Sequence, residues 1–233
     1  MDLAAFEQLA LARRSVRNFR PDPIPDELLT RLLDIAHWAP SGYNLQPTHF
    51  VIVTDPAIKQ QLYVAAMNQR QILDAHATIV FTGDRNVMQN NFERVIADEL
   101  RAGTITPMYE ALLRKYVPLA FGHGPLGLGW LWKALGPPVA RWFTPVPSIP
   151  AVQIRFWLAK QALLSAMQFM LAAEAAGLAT VPMEGFDESR VRRVLNIPSS
   201  QIVCVLIPVG YAADADLRKT RLPLESMLHR DRW

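Results

Sequence analysis

Cations stand in two sets near opposite ends of the chain: Arg13, Arg14 and Arg17, with Ser15 among them, and Lys219 with Arg221. Guanidinium forks and ammonium groups hold phosphate by paired N–H donors and by point charge. Each set alone reads more readily as solvated charge at a helix end. Between them lie stretches of neutral polar chemistry. Pro40-Ser41-Gly42-Tyr43-Asn44-Leu45-Gln46-Pro47 offers amides able to satisfy buried backbone groups. Val181-Pro182-Met183-Glu184-Gly185-Phe186-Asp187 is a turn in which Gly185 lets the backbone approach a neighbour closely. Met67-Asn68-Gln69-Arg70-Gln71 adds further amides.

Other chemistries find little support. Gly122-His123-Gly124-Pro125-Leu126-Gly127 spells a dinucleotide-binding signature, but Pro125 interrupts it and no acid follows until Glu174. His37, His49, His76, His123 and His229 form no HxxxH or HxH pair, and the only cysteine is Cys204, so a metal site is not expected. A G-x-S-x-G nucleophile turn is absent. A basic stripe with interleaved aromatics is also missing, which argues against nucleic acid.

The elements that must position these groups follow from periodicity. Residues 3–12 have helical spacing, and Pro21, Pro23 and Pro25 make an extended link. Asp26 and Glu27 open a helix to about Trp38, stopped by Pro40. Strands are expected over His49–Thr54, Ala77–Gly83 and Gln201–Tyr211. Helices are expected over Pro56–Met67, Arg85–Arg101 and, longest, Val152–Ala176, with Gly177 as its cap. Asp187 suits the N-cap of a short helix to Leu195. The segment 104–150, rich in Pro, Gly and Trp, breaks the rhythm and reads as an insertion, with Tyr116–Trp132 as a surface loop. Intermixed strands and helices favour one α+β domain over residues 1–233, three-layered around a small sheet.

The 233 residues are 51% hydrophobic and 19% charged, an apolar excess that a subunit interface would absorb. Net charge is +3, unevenly placed: Ala111–Ala173 has no acid but holds Arg114, Lys115, Lys133, Arg141, Arg155 and Lys160. A basic, Trp-rich insertion of this kind could also touch anionic lipid, whereas no stretch reads as a spanning helix. The lone Cys204 and the absence of a basic start before an apolar run fit a reducing, cytoplasmic setting.

Taken in order, the Arg13–Arg17 set, the Pro40–Pro47 loop, the Pro182–Gly185 turn and Lys219-Thr220-Arg221 resemble the FMN-dependent nitroreductase family, over about residues 10–222. The resemblance implies a three-layer α-β-α fold, a small mostly antiparallel sheet and an intertwined homodimer. It also implies an FMN enzyme that takes hydride from NAD(P)H and passes it, in ping-pong turnover, to nitroaromatic or quinone acceptors. In that family the residues matching Arg13, Arg14, Ser15, Arg17, Lys219 and Arg221 meet the phosphate and ribityl chain. A backbone N–H in Pro182-Met183-Glu184-Gly185 would meet flavin N5, so no side-chain acid or base is named as catalytic. Pro40, Ser41 and Gly42 would touch the flavin of the other subunit, with Asn44 shaping that loop. Asn68 would read the pyrimidine edge, and Gln161 would contact the flavin. Gln71 departs from the pattern, standing where well-known members carry a lysine near N1 and O2. Tyr109, Tyr116, Phe121, Trp130 and Trp132 are candidate substrate contacts on a lid within the insertion. Another flavin reaction (dehydrogenation or reductive dehalogenation), a non-catalytic FMN-binding protein and a peripheral membrane protein remain as alternatives.

Overall fold

A computed structural model describes residues 2–122, 136, 142–143, 153–213 and 218–233. The sheet is built from β1 (Phe19–Arg20), β2 (Thr48–Val53), β3 (Ala77–Asp84), β4 (Ala179–Thr180) and β5 (Gln201–Ala212). Its order is β1-β5-β3-β2, with β4 also on β5, and every pairing is antiparallel. Strand β3 is central and buried along its whole length, so its apolar residues serve both faces. Ile79 and Phe81 point to one core and Val80 to the other.

Helices α2 (Asp26–His37) and α7 (Ile154–Ala175) cover one face. Leu29 and Leu32 of α2 and Phe169 of α7 pack there against Ile79, Phe81 and Ile207. The other face is covered by α3 (Pro56–Ala65), the one-turn α4 (Gln71–Asp74) and α8 (Glu188–Val194), through Leu62, Ile72 and Val191. That is the three-layer arrangement the sequence leads one to expect. A third core lies between α5 (Val87–Ala102), α6 (Pro107–Phe121) and the start of α7, around Phe92, Val117 and Trp157.

Helix α6 corrects the reading of Tyr116–Trp132 as surface loop over Tyr116–Phe121, while residues 123–132 lie outside the described residues. Its prolines are not breakers where they stand. Pro107 occupies the first turn, where a missing N–H costs nothing, and Thr106 caps it by accepting from Tyr109 N at 3.2 Å. Pro118 lies in the last turn, and the helix still closes with Gly122 N donating to Pro118 O at 2.7 Å.

In β5 the register against β3 shifts between Phe81 and Thr82, which face Val205 and Val203, so Cys204 is the extra residue of a bulge. Burial, with the nearby charge of Glu188, pushes its thiol up to about 12. Cys204 is therefore a packing residue that stays protonated.

Two apolar surfaces are exposed among the described residues. Helix α1 (Leu3–Ala12) buries none of its residues, leaving Leu3 and Phe6 open. Helix α7 buries Trp157, Leu158, Ala162, Ala166, Phe169 and Ala173, but Phe156, Leu163, Leu164 and Met167 on its remaining surface are exposed. No described helix is long and apolar enough to cross a membrane.

Candidate cofactor site

The N-terminal set is placed by pairing with β4. Ser15 forms a parallel bridge with Thr180, and Val16 N donates to Thr180 O at 3.1 Å. The chain then runs directly from β4 into Pro182, so the cations and the Pro182–Gly185 turn are held by one element. The C-terminal set reaches the same place: Lys219 Nζ donates to Arg13 O at 3.3 Å. Arg14 folds back to donate to the carbonyls of Leu11, Ala12 and Arg13, completing the C-terminus of α1. Arg17 is exposed and makes no hydrogen bond or ion pair among the described residues.

These cations feel one another. Burial lowers the pKa of Arg13, and the charges of Arg221 and Arg14 lower it further, while Glu174 acts the other way. Lys219 is lowered by burial, then by Arg221, Arg13 and Arg14, against Glu174. Glu174, in the last turn of α7, is raised by burial despite Arg13, Arg14 and Lys219. Arg13 Nη1 is buried without an acceptor. A buried guanidinium N–H short of a partner, among repelling cations, is the donor set a phosphate would complete.

The turn is fixed by two backbone bonds that Met183 exchanges with Leu206, at 2.8 and 3.1 Å. Met183 is buried, whereas Pro182, Glu184 and Gly185 are exposed. Among the described residues the N–H groups of Glu184 and Gly185 have no acceptor. Two uncommitted backbone donors on a rigid turn can serve a ring nitrogen. Gly185 makes a close approach here, because a Cβ there would lie 3.3 Å from Gln69 Nε2.

Asn68 and Gln71 flank Gln69 beside this turn. Met67 and Asn68 are both left-handed, each with φ 57°, a strained pair held by Asn68 N donating to Tyr63 O at 2.9 Å. Asn68 is exposed and Gln71 is buried at 7% exposure. Gln69 donates to Gly185 O at 2.8 Å and accepts from Gln71 Nε2 at 3.0 Å. Sequence reasoning missed Gln69 and Glu174. A third amide beside Asn68 and Gln71 was a signal for the first, and the first acid after the long acid-free stretch was a signal for the second.

The Pro40–Pro47 loop belongs to a different network. Gly42 N donates to Gln161 Oε1 at 2.8 Å, and a Cβ on Gly42 would lie 3.2 Å from the Trp157 indole. Ser41 Oγ accepts from Gln46 N at 2.9 Å, and Asn44 Nδ2 donates to Glu99 at 3.1 Å. Tyr43, Asn44 and Gln46 all have positive φ, so the loop is a tight, over-determined shape on α7. Gln161 is buried, and its carbonyl oxygen is committed to this loop.

Of the lid candidates, Tyr109 and Tyr116 are exposed on α6. Phe121 is buried, edge-on to Trp157 at 4.9 Å, and borders a cavity of about 490 Å³ with Arg85, Gln89 and Ile154. Trp130 and Trp132 lie outside the described residues. No cluster of three His, Cys, Asp or Glu side chains that could hold a metal occurs among the described residues.

Comparison with known proteins agrees with this geometry. Residues 10–211 match the model of the nitroreductase family. An NADH dehydrogenase of Thermus thermophilus is 31% identical over 94% of this chain and 92% of its own. Nitroreductase NfnB of Mycolicibacterium smegmatis is 31% identical over 96% of this chain and 90% of its own. A solved structure from Exiguobacterium sibiricum, described as a candidate nitroreductase in complex with FMN, superposes with a TM-score of 0.73 at 24% identity, covering 97% of each chain. With cations from both ends of the sequence gathered beside a turn of free amides, and a family match that runs from residue 10 through that turn to residue 211, the chain belongs to the nitroreductase family.

Proposed function

We propose that this protein is an FMN-dependent oxidoreductase that uses NAD(P)H to reduce nitroaromatic, quinone or similar electron-poor acceptors. The observation that carries the reading is the pairing of a phosphate-deficient cation cluster with an exposed turn of uncommitted backbone amides, joined through β4. FMN, when bound, supplies hydride transfer at N5 between the two substrates. Arg13, Lys219 and Arg221 would hold its phosphate, with Arg14, Ser15 and Arg17 at the margin. The Glu184 and Gly185 amides, presented by Pro182 and Met183, would orient the ring, and Asn68 and Gln71 would meet its pyrimidine edge.

The protein would act as a homodimer. The exposed apolar surfaces of α1 and α7 are where a second copy would pack, and pairing would bring Pro40, Ser41, Gly42 and Asn44, braced by Gln161, against the partner's flavin. Residues 104–150 would form an insertion in a single domain, and Tyr109, Tyr116, Phe121, Trp130 and Trp132 would select the acceptor. Deleting 120–140 should alter acceptor preference more than FMN affinity. A cytoplasmic location accords with the lone, inert Cys204.

Titration of the flavin-free protein with FMN, followed by flavin fluorescence and by sedimentation, tests the reading. Saturable uptake of one FMN per chain in a dimer is expected. A monomer that takes up none would contradict it.

A further inference from the structure

We infer that Gln69 is a positioning residue that locks the flavin-facing turn to Gln71, an inference that rests on the FMN reading above. Its Nε2 donates to Ala66 O at 3.1 Å and to Gly185 O at 2.8 Å. Both amide hydrogens are thus spent on carbonyls, which cannot donate back, so the orientation of the amide is determined. Its Oε1 must then face Gln71, from whose Nε2 it accepts at 3.0 Å. Gln71 is fixed in turn: its nitrogen points at Gln69, leaving one N–H to give. One side chain therefore ties together the end of α3, the Pro182–Gly185 turn and the first residue of α4.

Burial makes this chain of bonds hard for water to replace. Ala66 is fully buried and Gln71 nearly so. The left-handed pair Met67 and Asn68 doubles the chain back, and Gln69 N donating to Ala66 O at 3.3 Å keeps it there. Gly185, whose carbonyl Gln69 holds, is also a residue whose N–H is uncommitted. Fixing the carbonyl restrains the ψ of Gly185 and so restrains the turn that presents the amides. A second tie, Asp187 N to Ala65 O at 2.8 Å, is independent of Gln69, so the turn persists without it. The role is therefore to sharpen the turn, not to fold it.

Two variants test this. Gln69→Met keeps length and removes every side-chain bond. Gln69→Glu keeps the acceptor for Gln71 and removes both donors. In flavin-free protein, hydrogen exchange at the Phe186 amide should quicken about ten-fold in both variants, with β5 and the independently tied Asp187 amide unchanged. In FMN-loaded protein, NADPH should reduce the flavin several-fold more slowly, with FMN affinity altered by less than about three-fold. This separates positioning from binding. Unchanged exchange in both variants would overturn the clamp. Faster exchange with an unchanged reduction rate would overturn its role in positioning. A wild-type protein that takes up no FMN would overturn the cofactor reading and the catalytic consequence, while the exchange experiment would still decide the clamp by itself.

Discussion

The two ends of the candidate site are finished to different degrees. At the phosphate end, burial and then the charges of Arg221 and Arg14 lower the pKa of Arg13 and of Lys219, Glu174 offsets them only in part, and a buried Arg13 nitrogen has no acceptor. At the ring end the Gln69 and Gln71 amides are bonded, and Met183 is stitched to Leu206 on both sides. The first end is a charge deficit that a ligand repairs. The second is organised before any ligand arrives and leaves only the amides that would meet the ring uncommitted. If FMN binds as proposed, affinity and chemistry would fall to separate regions, a division of labour that suits a cofactor whose tail anchors and whose ring reacts.

The largest effect that could break this contrast is on binding. Arg13→Met should weaken FMN by about 10- to 100-fold, the worth of a charge-assisted hydrogen bond. The same change should leave the melting temperature of the flavin-free protein level or higher, because it relieves repulsion. A lower melting temperature would mean that the cluster is structural, and calorimetry with and without FMN decides between them.

Next in size is Gly185→Ala at the ring end. Its Cβ would meet Gln69 Nε2 at 3.3 Å, so the turn or the clamp must give by a few tenths of an ångström. Flavin reduction should slow by roughly ten-fold, since small misplacements are costly, while FMN affinity hardly changes. Stopped-flow reduction beside a binding titration reads both. Equal losses in the two would erase the distinction between the ends.

Gln71→Lys should raise the flavin reduction potential, because a cation near the pyrimidine edge favours the reduced anion. The neighbouring Gln69 Oε1, which now accepts from Gln71, is available to accept from the new ammonium. An unmoved potential in a redox titration would place Gln71 away from the ring.

The smallest effect is on pH dependence. Lys219 has a folded pKa below its ordinary 10.5, so above that folded value the native state holds fewer protons than the unfolded chain. Stability of the flavin-free protein should therefore rise slightly as pH climbs from the folded value toward 10.5, and Lys219→Met should remove that rise. Because the ammonium is largely solvated, the gain is small, and a slope unchanged in the variant would assign it to another group.

Much of this was legible in the sequence because local rules and tertiary demands agreed. Helix α2 has its acids in the first turn and its stop at Pro40, and α7 ends at Gly177, whose φ of 73° is the left-handed conformation a glycine cap supplies. The strands expected over His49–Thr54 and Gln201–Tyr211 form at Thr48–Val53 and Gln201–Ala212. Helix α6 was hidden inside the segment 104–150, whose Pro, Gly and Trp content breaks the rhythm, and only the positions of Pro107 and Pro118 within the helix make them harmless. The cation sets were visible as composition, but their convergence depends on Ser15 pairing with Thr180 and Lys219 reaching Arg13, contacts between residues far apart in sequence. Gln69 stood out only as a third amide for a related reason: the role proposed for it is defined by Gly185, 116 residues away.

The most direct test of the central claim is a visible spectrum of the purified, FMN-loaded protein before and after anaerobic addition of NADPH. The account predicts flavin bands that bleach on addition and return when a quinone or nitroaromatic is supplied. Flavin bands that persist in the presence of NADPH and NADH would contradict it, leaving a protein that has the family's fold and cofactor site without its hydride chemistry.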